Sequence, residues 1–255
     1  MIVFLSIDFD ADSAERLYYS DKPVKLSKAL FSIRKGIYRV LELLDMFDIK
    51  TTFFTPGWVI ENYPDLVKEI MQRGHELGMH GYMHEKLDEL PVEEERKIHE
   101  KAVQIIRSFQ GFVAGFRKPY WELSPSTLEI ISSLGISYDS SLCSDDEPYL
   151  LNIKDRILVE LPIYDTLDDW LLFEIQYRSS EEVFKIWRYE FDSALEMNLD
   201  YFPLIVHPAC IGRASRIRML RELIVYMIRR GASFLPGKTI AEKVLKRARN
   251  ESRIQ

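Results

Sequence analysis

The chain has 255 residues, 47% of them hydrophobic and 12% aromatic, with 34 Lys and Arg against 40 Asp and Glu; that balance belongs to a folded protein and excludes extensive disorder. A net charge of -6 gives no general electrostatic reason to bind nucleic acid, an anionic membrane or a polyanionic substrate. The length suits one large core, and a single α/β barrel domain over residues 1–255 is the expectation.

The apolar start runs straight into Asp8 and Asp10, without the basic segment and long apolar stretch of a secretion signal, so residues 2–7 read as a strand. No stretch approaches the length of a membrane span, and a cytoplasmic protein is expected. Cys143 and Cys210 are too few for a disulfide framework and read as two buried thiols. A polar excursion follows from Asp8 to Lys28. Ile33, Ile37, Val40, Leu41 and Leu44 then recur at helical spacing, and residues 51–54 form the next strand, closed by Pro56-Gly57.

Asn62 caps a helix with Pro64 in its first turn, Gly74 stops it, and residues 75–79 make a third strand. His75 is expected to be structural. His80 to Leu90 is the loop beyond that strand, and its two histidines, His80 and His84, share a face if the backbone there is a helical turn. Pro91 opens a helix with Glu93, Glu94 and Glu95 in its first turn. Its His99, among charged neighbours, reads as solvated.

Residues 112–116 form strand four, ending in Arg117-Lys118-Pro119-Tyr120-Trp121. Ser124 caps a helix ended by Gly135, and residues 136–138 are strand five, with Asp139 just past it. From Ser140 to Arg156 the pattern fails and reads as a surface loop. Residues 157–161 resume as a strand, 165–170 are loop-like with Trp170 among acids, and Ser180 starts a long helix. A strand over 202–206 ends in His207-Pro208, and two further helices flank a short strand at 233–235.

Seven or eight βα units in alternation close into a barrel more naturally than into one open sheet. A doubly wound sheet usually announces its ligand crevice with a glycine-rich first turn, and Ile7-Asp8-Phe9-Asp10 has no glycine. In a barrel the loops after the strands share one rim, so Asp8, Asp10, His80, His84, Arg117, Asp139, Trp170 and His207 would converge. Two imidazoles and a carboxylate would then hold a divalent ion and leave positions open for water and substrate.

Ser6-Ile7-Asp8-Phe9-Asp10, His80-Gly81-Tyr82-Met83-His84, Arg117-Lys118-Pro119-Tyr120, Tyr138-Asp139 and Leu204-Ile205-Val206-His207 stand in the order, and near the spacings, of five motifs. In this the chain resembles the polysaccharide deacetylase family, also called carbohydrate esterase family 4. Its Pro119-Tyr120-Trp121-Glu122-Leu123-Ser124 and Leu167-Asp168-Asp169-Trp170 are most similar to the branch of peptidoglycan deacetylase-like and allantoinase-like proteins. The resemblance implies a deformed (β/α) barrel and a metal-dependent hydrolase of non-peptide carbon–nitrogen bonds.

Carried over residue by residue, the resemblance makes Asp10, His80 and His84 the metal ligands. Zinc suits that mixed set best, with cobalt, nickel, iron and manganese as alternatives. Asp8 matches the general base and Arg117 the group that keeps it anionic; the exchanged assignment of the two aspartates is the alternative, because Phe9 separates what is usually an adjacent pair. Tyr120 supplies a backbone N–H to the oxyanion, and His207 matches the general acid, with Asp139 to hold it cationic. Trp121, Trp170 and Tyr82 are expected to border the substrate. That substrate is expected to be an N-acetylated sugar or oligosaccharide; a cyclic imide or allantoin-like ring is the second reading and a non-catalytic carbohydrate-binding barrel the third. No nucleic acid or membrane partner is expected, and self-association is open.

Overall fold

The computed structural model describes residues 1–120 and 122–251. Eight of its strands run parallel: β1 (Ile2–Asp8), β2 (Thr52–Thr55), β3 (Glu76–Met79), β4 (Gly115–Phe116), β5 (Tyr138–Asp139), β7 (Arg156–Glu160), β8 (Tyr201–Val206) and β9 (Ser233–Phe234). The ninth, β6 (Tyr149–Ile153), pairs antiparallel with β7. Their order, β6-β7-β5-β4-β3-β2-β1-β8, makes a curled α/β sheet, an incomplete barrel. A single bridge from Asp168 to Ile205 touches the other edge of β8 and draws the 165–170 segment to the rim.

Alternation along β1 sorts its side chains into two layers. Val3, Leu5 and Ile7 join the large outer core under the helices, whereas Phe4 points inward with Phe54, Tyr138, Val159, Leu161 and Tyr201. Ser6 and Asp8 have the parity of Phe4 and stand above it on the inner face. β8 takes all of one edge of β1, so β2, bonded only at Ile7 and Asp8, and β9, bonded at Ile2 and Val3, share the other. Helix α11 (Gly237–Glu251) follows β9 into that wedge. There Gly237 N–H donates to Thr52 Oγ1 at 2.9 Å, Lys238 N–H donates to Glu76 Oε2 at 3.0 Å, and Ile240 and Ala241 plug the interior.

The polar excursion after β1 holds two helices, α1 (Ser13–Tyr18) and α2 (Pro23–Phe31), the second continuing through a wider turn at Ser32–Gly36 into α3 (Ile37–Met46). Between β2 and β3 lie α4 (Gly57–Asn62) and α5 (Pro64–Gln72). Asn62 ends the first of these instead of capping the second, its side chain donating to Trp58 O. The stretch expected to be irregular from 140 to 156 contains β6. Its middle, Tyr149-Leu150-Leu151, is apolar, and a two-residue turn at Lys154-Asp155 folds it onto β7.

Helix α6 (Val92–Gln110) corrects the reading of His99, which is buried. Glu95, His99, Ala102, Val103 and Ile106 recur at helical spacing and form its inner stripe. Glu95 accepts from Ser124 Oγ and Thr127 Oγ1, both at 2.5 Å, which ties α6 to the start of α7 (Thr127–Ser133), and the His99 ring lies edge-on to Phe116 at 5.3 Å. Beyond these come α8 (Ser180–Glu196), started by a reciprocal Ser179–Glu182 cap, then α9 (Pro208–Ile211) and α10 (Ala214–Arg229). Cys210 is buried but Cys143 is exposed, and both are free thiols. No helix among the described residues is long and apolar enough to cross a membrane.

His75 sits at the entry to β3, buried, with Nδ1 accepting from Thr51 N–H at 3.3 Å and its ring 5.0 Å from that of Phe53. Burial lowers its pKa from 6.5 to about 4, with Lys50 adding to the shift. The unfolded chain therefore binds the proton before the folded one does, and this residue's contribution to stability falls as pH drops from about 6.5 to about 4. Urea titrations at pH 7 and pH 4.5 should show the wild type losing about 2 kcal/mol more than His75→Asn across that interval. Equal losses in the two proteins would contradict it.

Candidate active site and metal position

The inner parity of β1 continues past its end. Ile7 pairs with Val206, so one step further Asp8 lies beside His207. Arg117 follows β4 and turns inward above Phe54, its guanidinium carbon 4.3 Å from the ring centre. Its Nη1 donates to Asp8 Oδ1 and to Ser6 Oγ, both at 2.7 Å, while Nε and Nη2 donate to Ser140 O at 3.1 Å and Ser140 Oγ at 2.8 Å. Burial pushes the Asp8 carboxyl up, but the charge and hydrogen bond of Arg117, with the charge of His207 adding to them, bring it below its ordinary value. It is a buried carboxylate held anionic.

Two residues on, Asp10 returns to the same side of the chain. Ala11 adopts φ 52°, and Ser13 N–H and Oγ both donate to Asp10 O, which fixes the bend into α1. Asp10 Oδ1 lies 3.4 Å from His80 Nε2 and 3.7 Å from His84 Nε2, and one donor atom from each residue falls within 4.8 Å of the others. The two histidines do not share a helical turn. Gly81 takes φ 69° and His84 φ 67°, and the Glu85 carboxylate closes the loop by accepting Tyr82 N–H at 2.9 Å and Met83 N–H at 2.8 Å. A Cβ on Gly81 would stand 2.8 Å from Glu85 Oε2, in a backbone conformation that side chains resist, so the turn requires glycine.

These atoms fit a cation. His80 Nδ1 lies 2.8 Å from Arg117 O, which only accepts, so Nδ1 carries the hydrogen and Nε2 presents its lone pair toward Asp10. Burial lowers both imidazoles to about 4 and leaves them neutral near pH 7, while loss of hydration pushes the Asp10 carboxyl up. Asp10 Oδ1 is buried without a hydrogen-bond donor. An acid and two neutral imidazoles converge here with their lone pairs, a donor set that could hold a metal ion.

On the other side of Asp8, His207 Nε2 is 3.9 Å from Asp8 Oδ2. The partner of its Nδ1 is Asp169, whose Oδ1 lies at 2.7 Å; the same carboxylate accepts His207 N–H at 3.0 and 3.1 Å. Burial alone would lower the imidazole, but Asp168 and Asp169 outweigh it and raise His207 well above the usual histidine range. Asp139, expected in this role, is not the partner. It pairs with Phe116, whose side chain belongs to the outer core, so Asp139 points away from the interior and accepts instead from Ser141 Oγ at 2.6 Å. The sequence did contain a signal for the true partner, since Asp168-Asp169 stands beside the aromatic noted at 170.

Tyr120 adopts φ 57° and lays its ring 4.6 Å from His84, with Tyr18 of α1 behind it at 5.9 Å. The Trp170 ring is 5.9 Å from His207. Tyr82 turns elsewhere: its hydroxyl donates to Glu61 Oε2 at 2.8 Å and Lys101 Nζ sits 3.5 Å over its ring, so its contacts are with α4 and α6 rather than the three donors. Trp121 lies outside the described residues. Glu85, Asp169 and Ser140 are the residues that reading the sequence missed.

Splitting an unactivated bond with water requires something to deprotonate the water and something to protonate the leaving atom, and this rim holds an anionic carboxylate and a cationic imidazole beside three groups that could hold a metal ion. Fold and site together define a hydrolase. Comparison with known proteins agrees. The polysaccharide deacetylase model matches residues 30–138. The peptidoglycan deacetylase of Helicobacter pylori is 28% identical over 284 aligned positions, covering 97% of this chain and 97% of that protein. A Mycobacterium smegmatis structure assigned to the polysaccharide deacetylases shares 29% identity at a TM-score of 0.85, covering 96% of this chain and 91% of that one. PuuE allantoinase superposes at a TM-score of 0.87 with 20% identity, over 94% of this chain and 89% of that one, a likeness of fold. These matches support the polysaccharide deacetylase family, and the chain is a polysaccharide deacetylase-like hydrolytic enzyme.

Proposed function

We propose that the protein, acting as one barrel unit over residues 1–255, removes acetyl groups from an N-acetylated amino sugar or its oligosaccharide. Asp10, His80 and His84 would hold one divalent ion, zinc being the best match to their donor set, and bound there it would supply Lewis acidity at the acyl carbonyl and acidify water. Asp8, kept anionic by Arg117, takes the proton of the attacking water. His207, kept protonated by Asp169 and Asp168, gives a proton to the amide nitrogen as the carbon–nitrogen bond breaks. The Tyr120 N–H offers a hydrogen bond to the oxygen on which charge develops. Tyr120 beside the ligand His84 and Trp170 beside the acid offer apolar faces to a sugar ring.

One observation carries this reading: Asp8 lies between Arg117 at 2.7 Å and His207 at 3.9 Å, two residues from the carboxylate that meets both imidazoles. This spacing supports a base, an acid and a metal position acting on one carbonyl. The named activities of the relatives, on peptidoglycan and on chitin, support an acetamido sugar as the group attacked. The test is acetate release from an N-acetylglucosamine oligomer by protein stripped with chelator and reloaded with zinc. Acetate and free amine should rise one for one, vanish on stripping and return on reloading. Ring opening of allantoin or a cyclic imide without acetate release would transfer the assignment to the second reading.

A further inference from the structure

Arg117 holds Asp8, and the groups that hold Arg117 rest on a second pair of carboxyls, on the outer face of the sheet. The β5–β7 ladder sets Asp139 directly opposite Glu160, and both are fully buried. Each gives one oxygen to the turn after β5. Glu160 Oε1 accepts Ser141 N–H at 3.0 Å and Leu142 N–H at 2.9 Å, and Asp139 Oδ1 accepts Ser141 Oγ–H at 2.6 Å. The remaining oxygens, Asp139 Oδ2 and Glu160 Oε2, are buried with no donor from elsewhere and face each other. Burial pushes both carboxyls up, and the neighbouring Asp139 adds to the rise at Glu160, which lies well above the ordinary carboxylate range. Lys118 faces the pair, its ammonium donating to Ser141 O and its N–H to Ser141 Oγ.

Ser140, between the two ends of this anchor, is fixed by its N–H to Phe116 O and by its Oγ–H to Leu161 O, both at 2.9 Å. Its carbonyl and hydroxyl oxygens take Nε and Nη2 of Arg117, which leaves Nη1 for Ser6 and Asp8. We propose that Asp139 and Glu160 are positioning residues for the hydrolysis: the paired carboxyls hold the turn that fixes Ser140, Ser140 aims Arg117, and Arg117 aims Asp8. This rests on the reading of Asp8 as the base. It gives Asp139 a role through Arg117 rather than through His207.

The test compares Glu160→Gln and Glu160→Leu in the zinc-loaded enzyme, assayed on an N-acetylglucosamine oligomer. Glutamine can still accept from the two turn amides and donate to Asp139, so its kcat should stay within about threefold of wild type, whereas leucine should lower kcat by roughly 10- to 100-fold with metal content and KM nearly unchanged. In an Arg117→Ala background the same Glu160→Leu change should add little, because the link it acts through is already gone. Should the leucine variant not fold, Ser140→Ala, which keeps the carbonyl and loses the hydroxyl, should lower kcat in the same manner. Equal kcat in all these variants beside an inactive Asp8→Asn would overturn the positioning role alone. A loss just as large without Arg117, or glutamine no better than leucine, would overturn it too. A zinc-loaded wild type that releases no acetate would bring down the reading of Asp8, and this role with it.

Discussion

Replacing Asp8 by asparagine should leave one metal ion per chain and KM nearly unchanged while kcat falls by about 10³-fold. The amide has the shape of the carboxylate, and its carbonyl oxygen can still accept from Arg117 Nη1, which lies 2.7 Å from Asp8 Oδ1. It cannot take a proton. Steady-state acetate release with metal analysis of the same sample separates the two functions; a variant as fast as wild type would remove Asp8 from the chemistry. Were Asp8 a ligand instead, with Asp10 the base, metal and rate would fall together. Because Asp10, and not Asp8, stands 3.4 and 3.7 Å from the imidazoles, the separation of the two effects is the expected result.

His80→Ala should do the opposite and lose the ion and the activity together. It deletes one donor of three and also the hydrogen bond to Arg117 O at 2.8 Å that orients the ring. Loss of the ligand and its orienting partner should weaken metal binding by more than about 100-fold, and zinc should no longer raise the thermal midpoint as it does for the wild type. The measurements are ion per chain after dialysis and melting with and without added zinc. Undiminished binding would place the metal elsewhere.

Much of this arrangement was legible because a barrel turns sequence order into a ring. A polar residue just after an apolar run is, in this fold, a polar residue on the rim, and that rule found Asp8, Asp10, His80, Arg117 and His207. It failed where parity matters. Asp139 also ends a strand, but its neighbour in the ladder is Phe116, on the outer side, so it faces the helix layer. The true partner of His207, Asp169, lies on no strand; it reaches the rim because a single bridge at Asp168 pulls its segment onto β8. His99 was misread for a related reason. Charged neighbours describe the outer faces of a helix, whereas the stripe Glu95, His99, Ala102, Ile106 tells which way that residue points. The spacing of His80 and His84 led to the right pair by a wrong local geometry, since a left-handed turn stapled by Glu85 does what a helical turn would have done.

One ion should sit among Asp10, His80 and His84, with Asp8 and His207 on either side of the reacting carbonyl. A crystal of the zinc-loaded protein, measured on both sides of the zinc absorption edge, would locate that ion. One anomalous peak is expected, bonded at about 2.0–2.2 Å to an Asp10 oxygen and to Nε2 of His80 and His84. A second acid–imidazole group, Asp168, Asp169 and His207, also gathers within 4.8 Å, so the experiment has a real alternative. A peak there, with none at Asp10, would remove Asp10, His80 and His84 as the ligands.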